Sequence, residues 1–152
     1  MTLREDISLA IQNAMRSKDE TRLRVLRLLL SAIKLADAEK GVAVDDAAIL
    51  TLVQKEIKIR KDSIEGAEAA GRPEMIAQNQ QEISILETYL PKQLTEDELT
   101  SLVTEAIQEA QASSPADMGK VMKLLMPKVQ GKAPNAHISQ VVRKLLEKYP
   151  DD

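Results

Sequence analysis

Four lysines, two glycines and one proline lie between Gly119 and Lys132, and no acid separates Lys120 from Lys132. Cations at that density suit a polyanion, because each one that neutralises a phosphate releases a condensed counterion. Glycine lets a backbone approach a ligand closely, although inside a helix it costs about 1 kcal/mol relative to alanine. The candidate RNA-binding set is therefore Gly119, Lys120, Lys123, Lys128, Gly131 and Lys132, extended by Arg143 and Lys144 in the next helical segment. Arg24 and Arg27 recur at helical spacing nearer the N-terminus and form a second basic stripe. Arg16, Lys18 and Arg22 precede that stripe, and Lys34 follows it. The competing reading of both stripes is a solvated, solubilising face.

Charge is segregated along the chain. Leu94–Ser114 holds five acids and no base, net −5, whereas Pro115–Lys148 holds seven bases and two acids, net +5. The whole chain is at −3, so the positive segment is a local concentration and not a general property. Lys55, Lys58, Arg60 and Lys61 interleave with Glu56, Asp62 and Glu65 and read as helix ion pairs.

Little else here resembles catalytic machinery. Cysteine is absent and His137 is the one histidine. His137 falls in a first helical turn with no orienting acid in a recognisable motif, so it reads as solvated or partly packed. No phosphate-binding glycine loop, zinc-type histidine pair or cysteine pair occurs. Glu96, Asp97, Glu98, Glu105 and Glu109 read as helix capping and solvated face, not as metal ligands. The expectation is no catalytic residue, no metal and no cofactor. The only aromatics are Tyr89 and Tyr149, so bases have no stacking platform and any RNA would be held by phosphates and shape.

The chain of 152 residues fits one domain or two small ones. Met1–Asp6 carries acids early and reads as no secretory signal. No apolar run approaches the roughly 18 residues of a membrane span. Together with the lack of cysteine, these features lead to the expectation of a cytoplasmic protein without a membrane partner.

The elements that must position these residues are all helical in period. Thr2 to Glu5 is a capping box, followed by Leu3, Ile7, Ala10, Ile11 and Ala14 on one face. A break at Ser17–Asp19 precedes a second helix with Leu23, Leu26, Leu30 and Ile33 inside, stopped by Gly41. Asp45 or Asp46 caps a third helix running to about Ala70, with Ile49, Leu52, Val53, Ile57 and Ile64 as its stripe. Pro73 starts a fourth, with Ile76, Ile83, Leu86 and Leu90 inside. The third and fourth form an extended hairpin.

Pro91 marks a boundary. Thr95 to Glu98 opens another capping box, for a helix with Leu99, Leu102, Val103, Ala106, Ile107 and Ala110 inside. Ser114-Pro115 starts a sixth helix on Met118, Val121, Met122 and Leu125, which Pro127 should end. Asn135 caps a seventh, with Ile138, Val141, Val142, Leu145, Leu146 and Tyr149 inside. The predicted fold is all-α: a helical N-terminal domain over 1–92 with a long helical hairpin, and a small three-helix domain over 93–149.

Tyr89-Leu90-Pro91-Lys92-Gln93-Leu94, Asp117-Met118-Gly119-Lys120-Val121-Met122 and Met126-Pro127-Lys128-Val129-Gln130-Gly131-Lys132-Ala133 together resemble the GatB/YqeY family. Arg22-Leu23 with Leu26-Arg27, Lys55-Glu56, Arg60-Lys61-Asp62-Ser63-Ile64 and Gly71-Arg72 agree, so the similarity covers nearly the whole chain. The resemblance implies an all-helical protein whose three-helix tail is similar to that of GatB, a component of the glutamine-dependent tRNA amidotransferase. In that enzyme the tail contacts tRNA and is not catalytic. The family would also imply a label of carbon–nitrogen ligase with glutamine as amido-N-donor. The expected function is a non-catalytic protein that binds tRNA, or a tRNA-handling enzyme, through its basic tail. The alternatives are a helical protein-interaction module and an amidotransferase accessory factor.

Overall fold

A computed structural model describes residues 2–148 and contains seven α-helices and no strand among them. The chain divides into two compact units, Met1–Leu90 and Pro91–Asp152. Tyr149, expected on the last apolar stripe, lies outside the described residues.

In the first unit, α1 (Leu3–Ser17) begins at a complete capping box. The Glu5 N–H donates to Thr2 Oγ1 at 3.2 Å, and the Thr2 N–H donates to the Glu5 carboxylate at 3.3 Å. Lys18 turns the chain with φ +57°. Asp19 then accepts from the Arg22 N–H at 3.1 Å and starts α2 (Glu20–Lys40). Gly41, at φ +83°, ends α2 with a bond from its N–H to the Asp37 carbonyl. The buried face of α2 is Val25, Leu26, Leu29 and Ile33, while Leu23 and Leu30 are only half-buried. This corrects the expected stripe. Every residue from Leu23 to Leu30 is apolar or an arginine, so several helical phases satisfy the pattern. The phase is chosen by the three helices α2 packs against: α1 and the two that follow α2, Asp46–Ala69 and Pro73–Glu87.

Helix α3 (Asp46–Ala69) is capped by Asp45, which accepts from the Ala48 N–H at 2.9 Å. Its 24 residues make it about 36 Å long at 1.5 Å per residue. Pro73 occupies the first position of α4 (Pro73–Glu87), which folds back on α3 as a hairpin. Ile49, Val53 and Ile57 of α3 and Ile83, Ile85 and Leu86 of α4 join Ile7, Leu26, Leu29 and Ile33 in one core. Beyond Arg60 only Ala67 of α3 is buried, so the hairpin tip projects past that core.

Two polar clusters hold this unit. Arg4 makes a two-pronged contact with Asp37, both distances 2.9 Å, and Asp37 also accepts from the Val44 N–H at 2.8 Å. The Arg4 guanidinium, and then the Val44 N–H, hold the Asp37 carboxyl below its ordinary value of 3.8. A group with a lowered folded-state pKa contributes stability above its unfolded value and loses it as pH falls through the folded one. The stability gap between wild type and Asp37→Asn is therefore expected to be full at neutral pH and to close below about pH 4. Thermal unfolding of both proteins from pH 7 to pH 2.5 measures it, and a gap that does not narrow in acid contradicts the assignment.

The second cluster is buried. Arg60 Nε donates to Glu82 Oε1 at 3.2 Å, and Arg60 Nη1 donates to the Glu56 carbonyl at 2.9 Å and its carboxylate at 3.2 Å. Arg24 Nη2 reaches the other Glu82 oxygen at 3.1 Å. Arg60 makes the expected helix pair with Glu56, but it is also buried and reaches across to Glu82 on another helix. Arg60 sits three residues after Ile57 and four before Ile64, on the apolar stripe itself.

In the second unit, α5 (Glu96–Ala110) also starts at a capping box, between Thr95 and Glu98. Pro115–Asp117 forms a 3₁₀ turn, so α6 (Met118–Val129) begins later than Ser114-Pro115 suggested. Pro127 does not end α6. The helix runs through it to the fully buried Val129, and the Gln130 N–H bonds to the Met126 carbonyl at 2.9 Å. Proline removes one backbone bond here, but it lies in the last turn, where the packing of Val129 keeps the helix closed. Asn135 does not cap α7 (Asn135–Glu147). Pro134 occupies the cap position, without a side-chain bond. Leu99, Val103, Ala106, Val121, Leu125, Val129, Ile138, Val142 and Leu146 form the core of this unit.

Candidate nucleic-acid interface

Exposure sorts the lysines of α6. Val121, Leu125 and Val129 are fully buried, and at 100° per residue Lys120 and Lys123 fall on the opposite face. The Lys120 side chain is 72% exposed, and its Nζ lies 3.8 Å from Asp117, beyond hydrogen-bond distance. Asp117 is committed elsewhere: it accepts from the Ser113 N–H at 2.9 Å, which chiefly lowers its pKa, with a smaller contribution from Lys120. Lys123 is exposed. These two ammonium groups form an outward pair of point charges.

Lys128 and Lys132 are placed differently. Lys128 turns toward α5, its Nζ 3.8 Å from Glu109, with its side chain 44% exposed. Lys132 is half-buried. Its N–H bonds to the Val129 carbonyl at 2.8 Å, and its own carbonyl accepts from the Leu94 N–H at 2.9 Å. The four lysines thus do not converge on one patch. Arg143 and Lys144 are exposed on the outer face of α7 and line a shallow depression with Gln140 and Glu147.

The two glycines have different roles. A Cβ on Gly119 would meet nothing within 4 Å, and Gly119 is exposed. Close helix packing is therefore not what it provides, and the surface above it is open to a ligand's approach. Gly131 is buried at φ +75°, and its carbonyl accepts from Gln93 Nε2 at 2.8 Å. The turn after α6 requires a left-handed residue there, which accounts for glycine without a ligand.

In the first unit, Arg24 is bound to Glu82 with its side chain 51% exposed, and Arg27 is exposed on the same helix. His137 is partly packed, as expected, but it has an acid partner that the sequence did not show. Its Nε2 lies 2.7 Å from Glu96 Oε2, linking the first turn of α7 to the start of α5. The two residues are far apart in sequence, so only the packing of the two helices reveals the acid. Glu82 was missed altogether, although it stands four residues before Leu86 on the buried side of α4.

Comparison with known proteins adds the family. The model for "Yqey-like protein" matches residues 4–146. "Altered inheritance of mitochondria protein 41, mitochondrial" from Pyrenophora tritici-repentis is 28% identical over 142 residues, 90% of this chain and 76% of the relative. The protein of the same name from Lachancea thermotolerans is 32% identical over 109 residues, 70% of this chain and 58% of the relative. The one from Saccharomyces cerevisiae is 34% identical over 90 residues, 59% of this chain and 49% of the relative. The chain thus spans about half the length of the two yeast relatives. These names overturn the cytoplasmic expectation, which rested on the N-terminal residues, the lack of cysteine and the lack of a long apolar run.

Proposed function

The chain belongs to the family of Yqey-like proteins, and from that premise we propose that it binds tRNA, or an enzyme that handles tRNA, through its C-terminal unit. The observation that supports this most is the outward pair Lys120 and Lys123 beside the open backbone of Gly119. Arg143 and Lys144 supply further exposed cations on α7. The sequence resemblance of the 117–122 and 126–133 segments to the GatB/YqeY family is in keeping with that reading. In this reading the chain contributes no catalytic group to amide transfer. It acts where the names of its fungal relatives place them, in mitochondria.

The test is tRNA binding by the full chain across a salt series. Log affinity is expected to fall with log salt by roughly 0.7 to 0.9 per phosphate contact. Lys120→Ala with Lys123→Ala is expected to weaken binding and flatten the slope by about one to two. Lys128→Ala with Lys132→Ala should do less, because the Lys128 side chain is less exposed than that of Lys120 and Lys132 is half-buried. Thermal stability should change little, since exposed charges contribute at most about 1 kcal/mol each. Undetectable binding at low salt, or a Lys120/Lys123 variant equal to wild type, would make these lysines a solvating face only.

A further inference from the structure

The outer face of α2 is not used by the tail-based role. Leu28 is 50% exposed there and Leu35 62%. Their seven-residue spacing places them two turns apart on one line of the helix. Arg27 and Lys34 each precede one of these leucines and repeat with the same spacing. Ser31 lies between the two leucines, and all five side chains are exposed. No acid occurs between Glu20 and Asp37, and Asp37 is held by Arg4. A shallow depression lined by Glu20, Leu23, Arg24, Arg27, Leu28 and Ser31 opens beside the first leucine, so two arginines face one acid there.

Apolar residues at a heptad position, a small residue on the inner line and like charges along the edge make up one half of a coiled-coil seam. In such seams the edge charges choose the partner. We propose that this face of α2 docks an acidic amphipathic helix of a protein partner, with apolar residues at heptad spacing and glutamates along the edge that meets Arg27 and Lys34. RNA is a poorer occupant, because it offers aliphatic leucines no complementary surface. A second copy is also poorer, since antiparallel pairing of two α2 helices sets the Arg27–Lys34 edges against each other. Two turns of seam make a small interface, so affinity in the micromolar range is expected.

The probe is a synthetic helical peptide with leucines at heptad spacing and glutamates along both edges, set against the same peptide carrying lysines there. Fluorescence anisotropy with the full chain should show the glutamate peptide binding and the lysine peptide at least about tenfold weaker. Leu28→Ser with Leu35→Ser should abolish binding. Arg27→Glu with Lys34→Glu should reverse the preference between the peptides, an outcome that loss of folding cannot mimic. All four side chains are exposed, so helicity and melting temperature should stay near wild type. Equal binding of the two peptides, or unchanged binding by the double serine variant, overturns the proposal. It is also overturned by wild-type dimerisation that the serine variant abolishes in sedimentation, or by leucine-dependent recruitment to anionic phospholipid vesicles. Loss of tRNA binding in the Arg27/Lys34 variant, with Lys120→Ala and Lys123→Ala harmless, would instead give the face to nucleic acid. The Lys120/Lys123 salt series stands apart from these outcomes, so either proposal can fail alone.

Discussion

Glu82→Ala is expected to destabilise the N-terminal unit by about 3–5 kcal/mol, the cost of removing one partner from a buried ion pair. The Arg60 and Glu82 side chains are only 8% and 9% exposed. Glu82 is the hub: one oxygen serves Arg60 of α3 and the other Arg24 of α2. Its removal leaves the Arg60 guanidinium with Glu56 alone, on its own helix. At about 4–8 °C per kcal/mol for a unit of this size, the melting temperature should fall by at least about 12 °C. Arg24→Ala should cost far less, because Arg24 is half in solvent and its loss leaves Glu82 paired with Arg60. Replacing both partners, Arg60→Met with Glu82→Leu, should recover most of the loss, since buried pairs are often no better than apolar groups of similar volume. Urea and thermal unfolding of Arg60→Met, Glu82→Leu and this double variant close the cycle. A Glu82→Ala protein within 1 kcal/mol of wild type would mean that Arg60 reaches solvent when its partner is gone.

What the sequence revealed and what it concealed differ in range along the chain. The capping boxes at Thr2–Glu5 and Thr95–Glu98, the stop at Gly41, the cap at Asp45 and the start at Pro73 all involve residues within four positions of one another. Local chemistry decides such features, and each was legible. The phase of α2 was not, because a run rich in leucine fits several faces and its neighbours choose among them. Pro127 misled because a proline's effect depends on how close it lies to the helix end and on what the last turn buries. The link of Arg60 to Glu82 and that of His137 to Glu96 join separate helices, and no local pattern pairs them. The candidate site divides in the same way. Charge, spacing and glycine content of the 119–132 segment could be read directly. Which lysine faces outward, which approaches an acid and which is half-buried depends on how α5, α6 and α7 pack.

Gly131→Val is expected to destabilise the C-terminal unit by about 2–5 kcal/mol. A left-handed conformation costs a residue with a side chain roughly 1–2 kcal/mol, and forcing extra methyl groups into a buried site adds about 1–3 kcal/mol. Gly131 meets both conditions, with φ +75° and burial. Its carbonyl also receives Gln93 Nε2, and the adjoining Lys132 carbonyl receives the Leu94 N–H, so a shifted turn would release the start of the unit. A small core has little reserve against such a loss. Gly131→Ala should cost only the smaller, conformational part and so separates strain from crowding. Gly119 predicts the opposite sign. It lies in a helix at an ordinary φ, and an added Cβ meets nothing within 4 Å. Gly119→Ala should therefore stabilise the unit by about 0.5–1 kcal/mol. Melting curves of the three variants test the stability claims, and tRNA titration of Gly119→Ala tests the reason for keeping a helix-weakening residue there. If the phosphate backbone packs against bare α6, that better-folded variant should bind tRNA more weakly than wild type. Tighter folding with unchanged binding would instead remove Gly119 from the proposed interface and leave the contact to the lysines alone.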